Sequence, residues 1–374
     1  MRILFTMLNF PPSNFGGIAS CMYPVIKELG YEKNIEVKIL TTNYKISKNI
    51  SINTNCWTLF NGISVNYIKA KNPYFSFNYI IEGFRQIKKN DQVYLNSLFF
   101  FPTLLFLIIS VIYGKKIYLT PHGELFDFAL KNKFWKKAPY LMFVKFFSRR
   151  VSFIATSDQE ALAVKYHFSK SKVIIIPNFF ELQVPLNMKK LNQFIFLGRI
   201  CNIKKIENLI IACSISKYFL SKKYKFLIAG PTDDEYLKYD TMLRKLVVTF
   251  NLEKNIKFLG ELNSPQKEEL LSQSKASFVV SESENFSNVV VESIAQGTPV
   301  VASKGTPWTA LVDRNAGFWI DNSPELIAQK MDEIILMDND KYEIMCENSI
   351  SFSKEFSKLK ILPKWLETIK NIYV

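Results

Sequence analysis

Short runs of branched and aromatic residues recur along the chain, each closed by polar punctuation and separated by longer stretches, several with helical spacing. RILFTML, VKILTT, VYLNS, KIYLTP and VSFIATS do this in the first half, and FIFLGRI, KFLIAGP, IKFLGEL, ASFVVS and PVVAS in the second. Such runs are strands. IASCMYPVIKELG, ENLIIACSISKYF and NVVVESIAQ between them read as helices, the first ended by Gly30. Strand and helix in alternation require crossover connections, hence a parallel sheet with helices on both faces. The alternation lapses once, over the polar, Pro-containing stretch ELQVPLNMKKLNQ, which predicts a linker. The expectation is an α/β chain of two Rossmann-like, doubly wound parallel-sheet domains: residues 1–182, a linker over 183–193, a second domain over 194–350, and a helical tail over 351–374 that packs back on the first. A length of 374 residues suffices for two separate cores.

Charge and cysteine usage narrow the partners. The formal charge is +15, but the excess is lysine spread along the chain rather than clustered, and no nucleic-acid-reading module is visible, so nucleic acid is not an expected partner. Cys21, Cys56, Cys201, Cys213 and Cys346 have neither disulfide nor zinc spacing and read as reduced thiols. The first residues lack the signature of a signal peptide, so a cytoplasmic location is expected. LFFFPTLLFLIISVIY (98–113) is apolar but short of the roughly twenty residues a membrane span needs, and Pro102 suits a first helical turn. It reads as a helix buried between strands. FWKKAPYLMFVKFFSRR (134–150) interleaves basic and bulky apolar residues at helical spacing, which suits peripheral contact with an anionic membrane surface; a core helix whose lysines face water has the same pattern.

The chemistry gathers in SESENFSNVVVESIAQGTPVVAS (281–303). A polar loop follows a strand here and leads into a helix ended by Gly297. Ligands of parallel sheets collect beyond the carboxyl ends of strands, where helix N-termini point. Ser287 or Asn288 would cap a helix whose N–H groups face an anion. Glu284 precedes that terminus and Glu292 lies about a turn inside, and carboxylates accept hydrogen bonds from sugar hydroxyls on either side of a phosphate. Glu284, Asn285, Phe286, Ser287, Asn288, Val289 and Glu292 therefore form a candidate nucleotide-sugar segment, although two solvated glutamates would show the same spacing. In FLGRICNIKKIENLI, Arg199 and Lys204 follow a strand, a fork and a point charge suited to a diphosphate, or else ordinary loop cations. Gly16 and Gly17 in FGGIAS let the backbone approach a phosphate or acceptor, or simply make a turn. No G-x-G-x-x-G follows a strand, which disfavours nicotinamide and flavin chemistry. Asp338-Asn339-Asp340 has the D-x-D form of a metal site but lies far from any strand end and reads as a solvated turn. Ser157 to Glu160 has capping-box spacing with a structural role, and His167 reads as a surface residue.

GRICNIKKIENL, IAGP, FLGEL and the 281–303 stretch, in that order and spacing, resemble the C-terminal domain of the GT4 family of retaining glycosyltransferases with the GT-B fold. Glu284 and Glu292 match its signature of a glutamate, seven residues, then a glutamate. FGGIAS, TPHGELFDFAL, TSDQEA and VIIIPNFF match its N-terminal half, so the likeness covers most of the chain. PHGEL and KGTPW are most similar to the subset that builds bacterial O-antigens, capsules and related polysaccharides. The resemblance implies two domains facing a cleft and metal-independent hexosyl transfer with retention, from a UDP- or GDP-sugar to a growing, lipid-linked saccharide at the inner face of the cytoplasmic membrane. It implies that His122 leans over the donor sugar, and that His122, Glu284, Arg199 and Lys204 are catalytic. Lys205, where many relatives have Gly, and Phe179-Phe180-Glu181, where Gly-hydrophobic-Asp is usual, depart from the pattern. A sugar-nucleotide epimerase, a phosphorylase, or a non-catalytic saccharide-binding protein at the membrane surface are the alternatives.

Overall fold

The computed structural model describes every residue except 14–16, 48, 73, 132–133 and 371–374. The chain divides into two compact units, one of Met1–Phe179 with Ile361–Val374, the other of Phe180–Lys360. The first unit holds strands β1 (Arg2–Thr6), β2 (Glu36–Thr42), β3 (Trp57–Phe60), β4 (Ile63–Ile68), β5 (Gln92–Asn96), β6 (Lys116–Thr120), β7 (Val151–Ala155) and β8 (Lys172–Ile175). Their order is β3-β4-β2-β1-β5-β6-β7-β8. Every neighbouring pair is parallel except β3 with β4. That hairpin turns on Asn61 and Gly62, both with positive φ (47° and 81°), the backbone an Asn-Gly turn supplies.

The second unit holds β9 (Gln193–Leu197), β10 (Lys225–Ala229), β11 (Ile256–Gly260), β12 (Ala276–Val279), β13 (Val300–Ser303) and β14 (Gly317–Ile320). They form one parallel sheet in the order β11-β10-β9-β12-β13-β14. Phe194, Phe226 and Phe278 from three of these strands meet in one buried cluster, with Phe278 edge-on to Phe194 at 5.2 Å between ring centres. Each buried ring of this kind contributes roughly 1.5–3 kcal/mol. The strand order reverses between β9 and β12, so the sheet opens there at its carboxyl end.

The boundaries fall differently from the sequence pattern. The first unit ends at Phe179, before 182, because Phe180 already pairs with Ser357 and stacks on Phe286. The 183–193 stretch is bonded to the second unit throughout: Leu186 N–H donates to Gln296 Oε1 (3.1 Å), Met188 N–H to Ser272 Oγ (3.2 Å), and Leu191 N–H to the Gln273 carbonyl (2.8 Å). Residues 351–360 also stay with the second unit, and only from Ile361 does the tail join the first. There Trp365 lies 5.8 Å from the Tyr94 ring, and Tyr118 donates its hydroxyl to the Thr368 carbonyl at 2.6 Å.

The apolar 98–113 stretch forms helix Phe101–Ile112 with Pro102 in its first turn. Its buried face includes Phe106, which stacks on Tyr79 at 5.6 Å, while Phe101 and Ile112 are exposed. Gly83 admits Phe106, since a Cβ there would sit 2.1 Å from the ring. Among the described residues no helix is long and apolar enough to cross a membrane.

Candidate active site

Two loops at the carboxyl ends of β9 and β12 build the site in the second unit. After β9 the chain passes through Gly198 and Arg199 into a tight turn, Asn202–Lys204, and then helix Ile206–Ile215. Lys205 joins the two with φ 51° and ψ 43°, the left-handed conformation that favours glycine. That explains why a glycine suits this position; here Lys205 is held by an ion pair to Glu282 at 3.0 Å. After β12, residues 281–287 run into helix Asn288–Ala295. Glu282 N–H donates to the Ile203 carbonyl at 2.8 Å, which locks the two loops together, and Glu284 N–H donates to the Gly305 carbonyl at 2.9 Å, which ties the second loop to the turn after β13.

This locking brings Lys204 onto Glu284. The ammonium and carboxylate form a short ion pair, and Ser281 Oγ donates to the same carboxylate oxygen at 2.7 Å. Arg199 and Glu292, with Val289 between helix and sheet, line one cavity of about 220 Å³. Arg199 reaches Asp233 at 3.5 Å, and Glu292 takes an ion pair from Lys267 at 3.3 Å. The cavity exists because β9 and β10 end in close approach: a Cβ on Gly230 would lie 1.9 Å from the Gly198 carbonyl oxygen.

The 285–289 segment divides between scaffold and site. Phe286 is buried against Trp308 (5.2 Å) and Phe356 (5.8 Å), and Trp308 Nε1 donates to the Phe286 carbonyl, so the ring anchors the loop and only its N–H can serve a ligand. Ser287, at φ 66°, occupies the N-cap without a side-chain cap hydrogen bond of its own; Asn288 is the first residue of the helix. Of the two residues expected to cap it, Ser287 thus takes the N-cap position without making the bond. Val290 N–H donates to the Ser287 carbonyl at 3.1 Å, and the helix N-terminus, whose partial positive charge favours an anion, follows the loop at the carboxyl end of β12.

In the first unit His122 stands just past β6 at φ 53°, its Nε2 3.1 Å from Asn96 Oδ1. Loss of solvent around the ring pushes its pKa down to about 3, so the imidazole is neutral. Gly123 N–H donates to Glu160 Oε1 at 2.8 Å, and Glu160 also accepts from Thr156 N–H (2.7 Å) and Oγ1 (3.0 Å). The Glu160 carboxylate, which capping-box spacing assigns to its own helix end, thus reaches the His-Gly turn. Glu124 accepts from Ser97 Oγ at 2.6 Å, Phe99 N–H at 3.2 Å and Leu98 N–H. Burial raises it to about 7 despite those donors. Gly17 opens helix Gly17–Gly30, and a Cβ there would meet nothing within 4 Å. Gly16 lies outside the described residues.

Spacing alone missed several partners. Ser281, Asp233, Lys267 and Asn96 each bond a candidate residue, only Ser281 from the same motif, and Glu160 bonds Gly123 next to the candidate His122. Asp338 of the D-x-D caps helix Asn339–Ser353 by accepting from Asp340 N–H (3.0 Å) and Lys341 N–H (3.4 Å). Among the described residues no group of three or more His, Cys, Asp or Glu is placed to hold a metal ion.

Residues 179–352 match the family described as "Glycosyl transferases group 1". The match falls almost wholly on the second unit. Over 158 residues, 42% of this chain and 33% of the other, the chain is 25% identical to an alpha-1,3/1,6-mannosyltransferase, ALG2, of Yarrowia lipolytica. The chain thus matches only about a third of that protein's length. The chain has the GT-B fold. A structure of Anabaena Alr3699/HepE in complex with UDP and glucose superposes with TM-score 0.77 over 100% of both chains at 18% identity. WaaG, a glycosyltransferase involved in lipopolysaccharide biosynthesis, gives 0.72 over 98% of this chain and 99% of its own at 14% identity.

Proposed function

We propose that the chain is a glycosyltransferase that moves a hexose, with retention, from a UDP- or GDP-sugar to a growing, lipid-linked saccharide of a bacterial surface polysaccharide. One observation carries this: Arg199 and Glu292 line one cavity, and the Lys204–Glu284 pair joins the loops that follow β9 and β12, at the switch point of the sheet, where the second loop leads into a helix N-terminus. In sugar transfer, negative charge grows on the leaving β-phosphate while the anomeric carbon becomes cation-like. Arg199, Lys204 and the N–H groups at Asn288 and Val289 stabilise that charge more in the transition state than in the ground state. Glu292 binds ribose hydroxyls, and Glu284 binds the donor sugar, yielding part of its hold on Lys204 to the phosphate. The acceptor attacks from the face the phosphate leaves, and a phosphate oxygen takes its proton. These cations and amides carry the leaving-group charge, so the proposal assigns no metal. His122, being neutral, donates or accepts one hydrogen bond to a sugar hydroxyl rather than supplying positive charge. UDP and glucose bound to HepE, and the lipopolysaccharide role of WaaG, support the substrate class.

The lipid linkage rests on helix Phe134–Phe147. Val144 is its one buried residue, whereas Trp135, Met142 and Phe146 are 73%, 66% and 80% exposed along one face, beside Lys136, Lys145, Arg149 and Arg150. Of the two arrangements the sequence allows, the apolar residues rather than the lysines alone face outward, as a helix lying at an anionic headgroup layer would have them. The proposed place of work is accordingly the inner face of the cytoplasmic membrane, with this exposed face as its support.

Incubation with UDP- and GDP-sugars and saccharide acceptors tests the activity, read as acceptor-dependent release of nucleoside diphosphate. An epimerase would convert the donor without acceptor, and a non-catalytic binder would release nothing. Full turnover retained in Arg199→Ala, Lys204→Ala and Glu284→Ala alike would refute the site.

A further inference from the structure

At the opposite edge of the second unit's sheet, where β9 and β12 begin, lies a cavity of about 570 Å³ that shares no lining residue with the site above. Residues 187–190 form one wall; Lys275, just ahead of β12, and helix Asn339–Ser353 form the others. Lys190 donates to Thr298 Oγ1 at 2.8 Å, which leaves two of its hydrogens unused. Lys275 lies with its ammonium 4.1 Å from the centre of the Tyr342 ring, and Tyr342 in turn donates its hydroxyl to the Lys275 carbonyl at 2.8 Å. Lys189 stands exposed at the rim. Among the described residues neither Lys190 nor Lys275 forms an ion pair; the carboxylate at the rim, Glu343, is exposed and favours the Lys275 charge only at a distance.

Two half-buried ammonium groups facing one cavity are costly. Burial lowers Lys190 to about 8 and lowers Lys275 as well; the Cys346 sulfur on the cavity wall opposes both shifts, and the nearby Lys275 charge adds to that of Lys190. A doubly charged anion between them would offset both penalties at once. The walls are already set: Met188 N–H is bonded to Ser272 and Leu186 N–H to Gln296, so little ordering remains to be done on binding. The volume exceeds what phosphate alone would fill and falls in the usual range for a small organic ligand. Gln296 and Asn339 offer amide groups to hydroxyls.

We propose that this cavity is a second ligand site, in which Lys190 and Lys275 grip the phosphate of a small, hydroxyl-bearing phosphate monoester. It stands independently of the donor site, since none of its residues is used there.

Calorimetric titration of the full chain with inorganic phosphate and with glucose 6-phosphate tests this, in wild type, Lys190→Met, Lys275→Met and Arg199→Ala. Both probes are expected to bind, the hexose phosphate more tightly. Affinity should fall at least tenfold in each lysine variant and persist in Arg199→Ala. Equal affinity in wild type and both lysine variants overturns the proposal, as does binding lost only in Arg199→Ala, which would put the phosphate in the donor site. Capture by phosphatidic acid vesicles without hexose phosphate binding overturns it too, by making the source a lipid. Should Lys190→Met fail to fold, Lys275→Met alone decides.

Discussion

Replacing Lys204 by Met keeps the length of the side chain and removes its charge, which leaves the Glu284 carboxylate without its cation. The two side chains are 18% and 14% exposed, between a surface pair and a buried one. Exposed pairs contribute about 0–1 kcal/mol, whereas removing one partner of a buried pair costs about 3–5 kcal/mol. The expected loss for Lys204→Met is therefore about 2 kcal/mol, softened because Ser281 Oγ still donates to the carboxylate. Glu284→Gln should cost a similar amount, about 1–2 kcal/mol, for the stranded ammonium. The double variant Lys204→Met/Glu284→Gln strands no charge, so it should cost at least about 1 kcal/mol less than the sum of the singles. Urea denaturation of the four proteins gives the coupling, and melting points should fall by about 4–8 °C in the singles. Nucleotide binding supplies a second readout: Lys204→Met and the double variant should both lose affinity for UDP, because removing both partners restores stability but not the phosphate contact that Lys204 makes. Strict additivity, within about 0.3 kcal/mol, would mean that the two side chains do not interact in solution and would refute the described geometry.

Gly305→Ala would put a Cβ 2.4 Å from the Glu282 carbonyl oxygen and displace the loop that Glu284 shares with the Gly305 carbonyl, so UDP affinity should fall at least tenfold by calorimetry. Glu124 holds its proton in the folded state up to about 7 because of burial, whereas the unfolded chain releases it near 4.5. Its contribution is therefore fully present below 4.5 and is lost as pH rises toward 7; the stability of wild type relative to Glu124→Gln should drop by about 1–3 kcal/mol between pH 4.5 and pH 8 in paired denaturant titrations, and an unchanged difference would contradict the shift. Trp135→Ser/Phe146→Ser should weaken co-sedimentation with phosphatidylglycerol vesicles at least tenfold without altering the far-ultraviolet spectrum, and salt should weaken wild-type binding. Vesicle binding untouched by the double substitution would remove the helix as the contact.

The alternation of apolar runs and helical spacing determines both parallel sheets, since a chain with that rhythm has few other ways to satisfy its backbone and bury its apolar faces. Local signals also determine where the loops of the site lie, because loops follow strands whatever packs around them. Less visible was the β3–β4 hairpin, whose Asn61-Gly62 turn interrupts the alternation with an antiparallel pair. Pairing across loops was not legible at all. Lys204 meets Glu284, Glu160 meets the turn after His122, and Lys267 meets Glu292 across 80, 37 and 25 positions. A linker that reads as free chain is bonded along its length, because the amino edge of the second sheet offered Ser272 and Gln296 as partners. Periodicity reports which face of an element is apolar, and so fixes the elements; which polar groups then meet depends on the sheet order, and only the closed tertiary structure sets that.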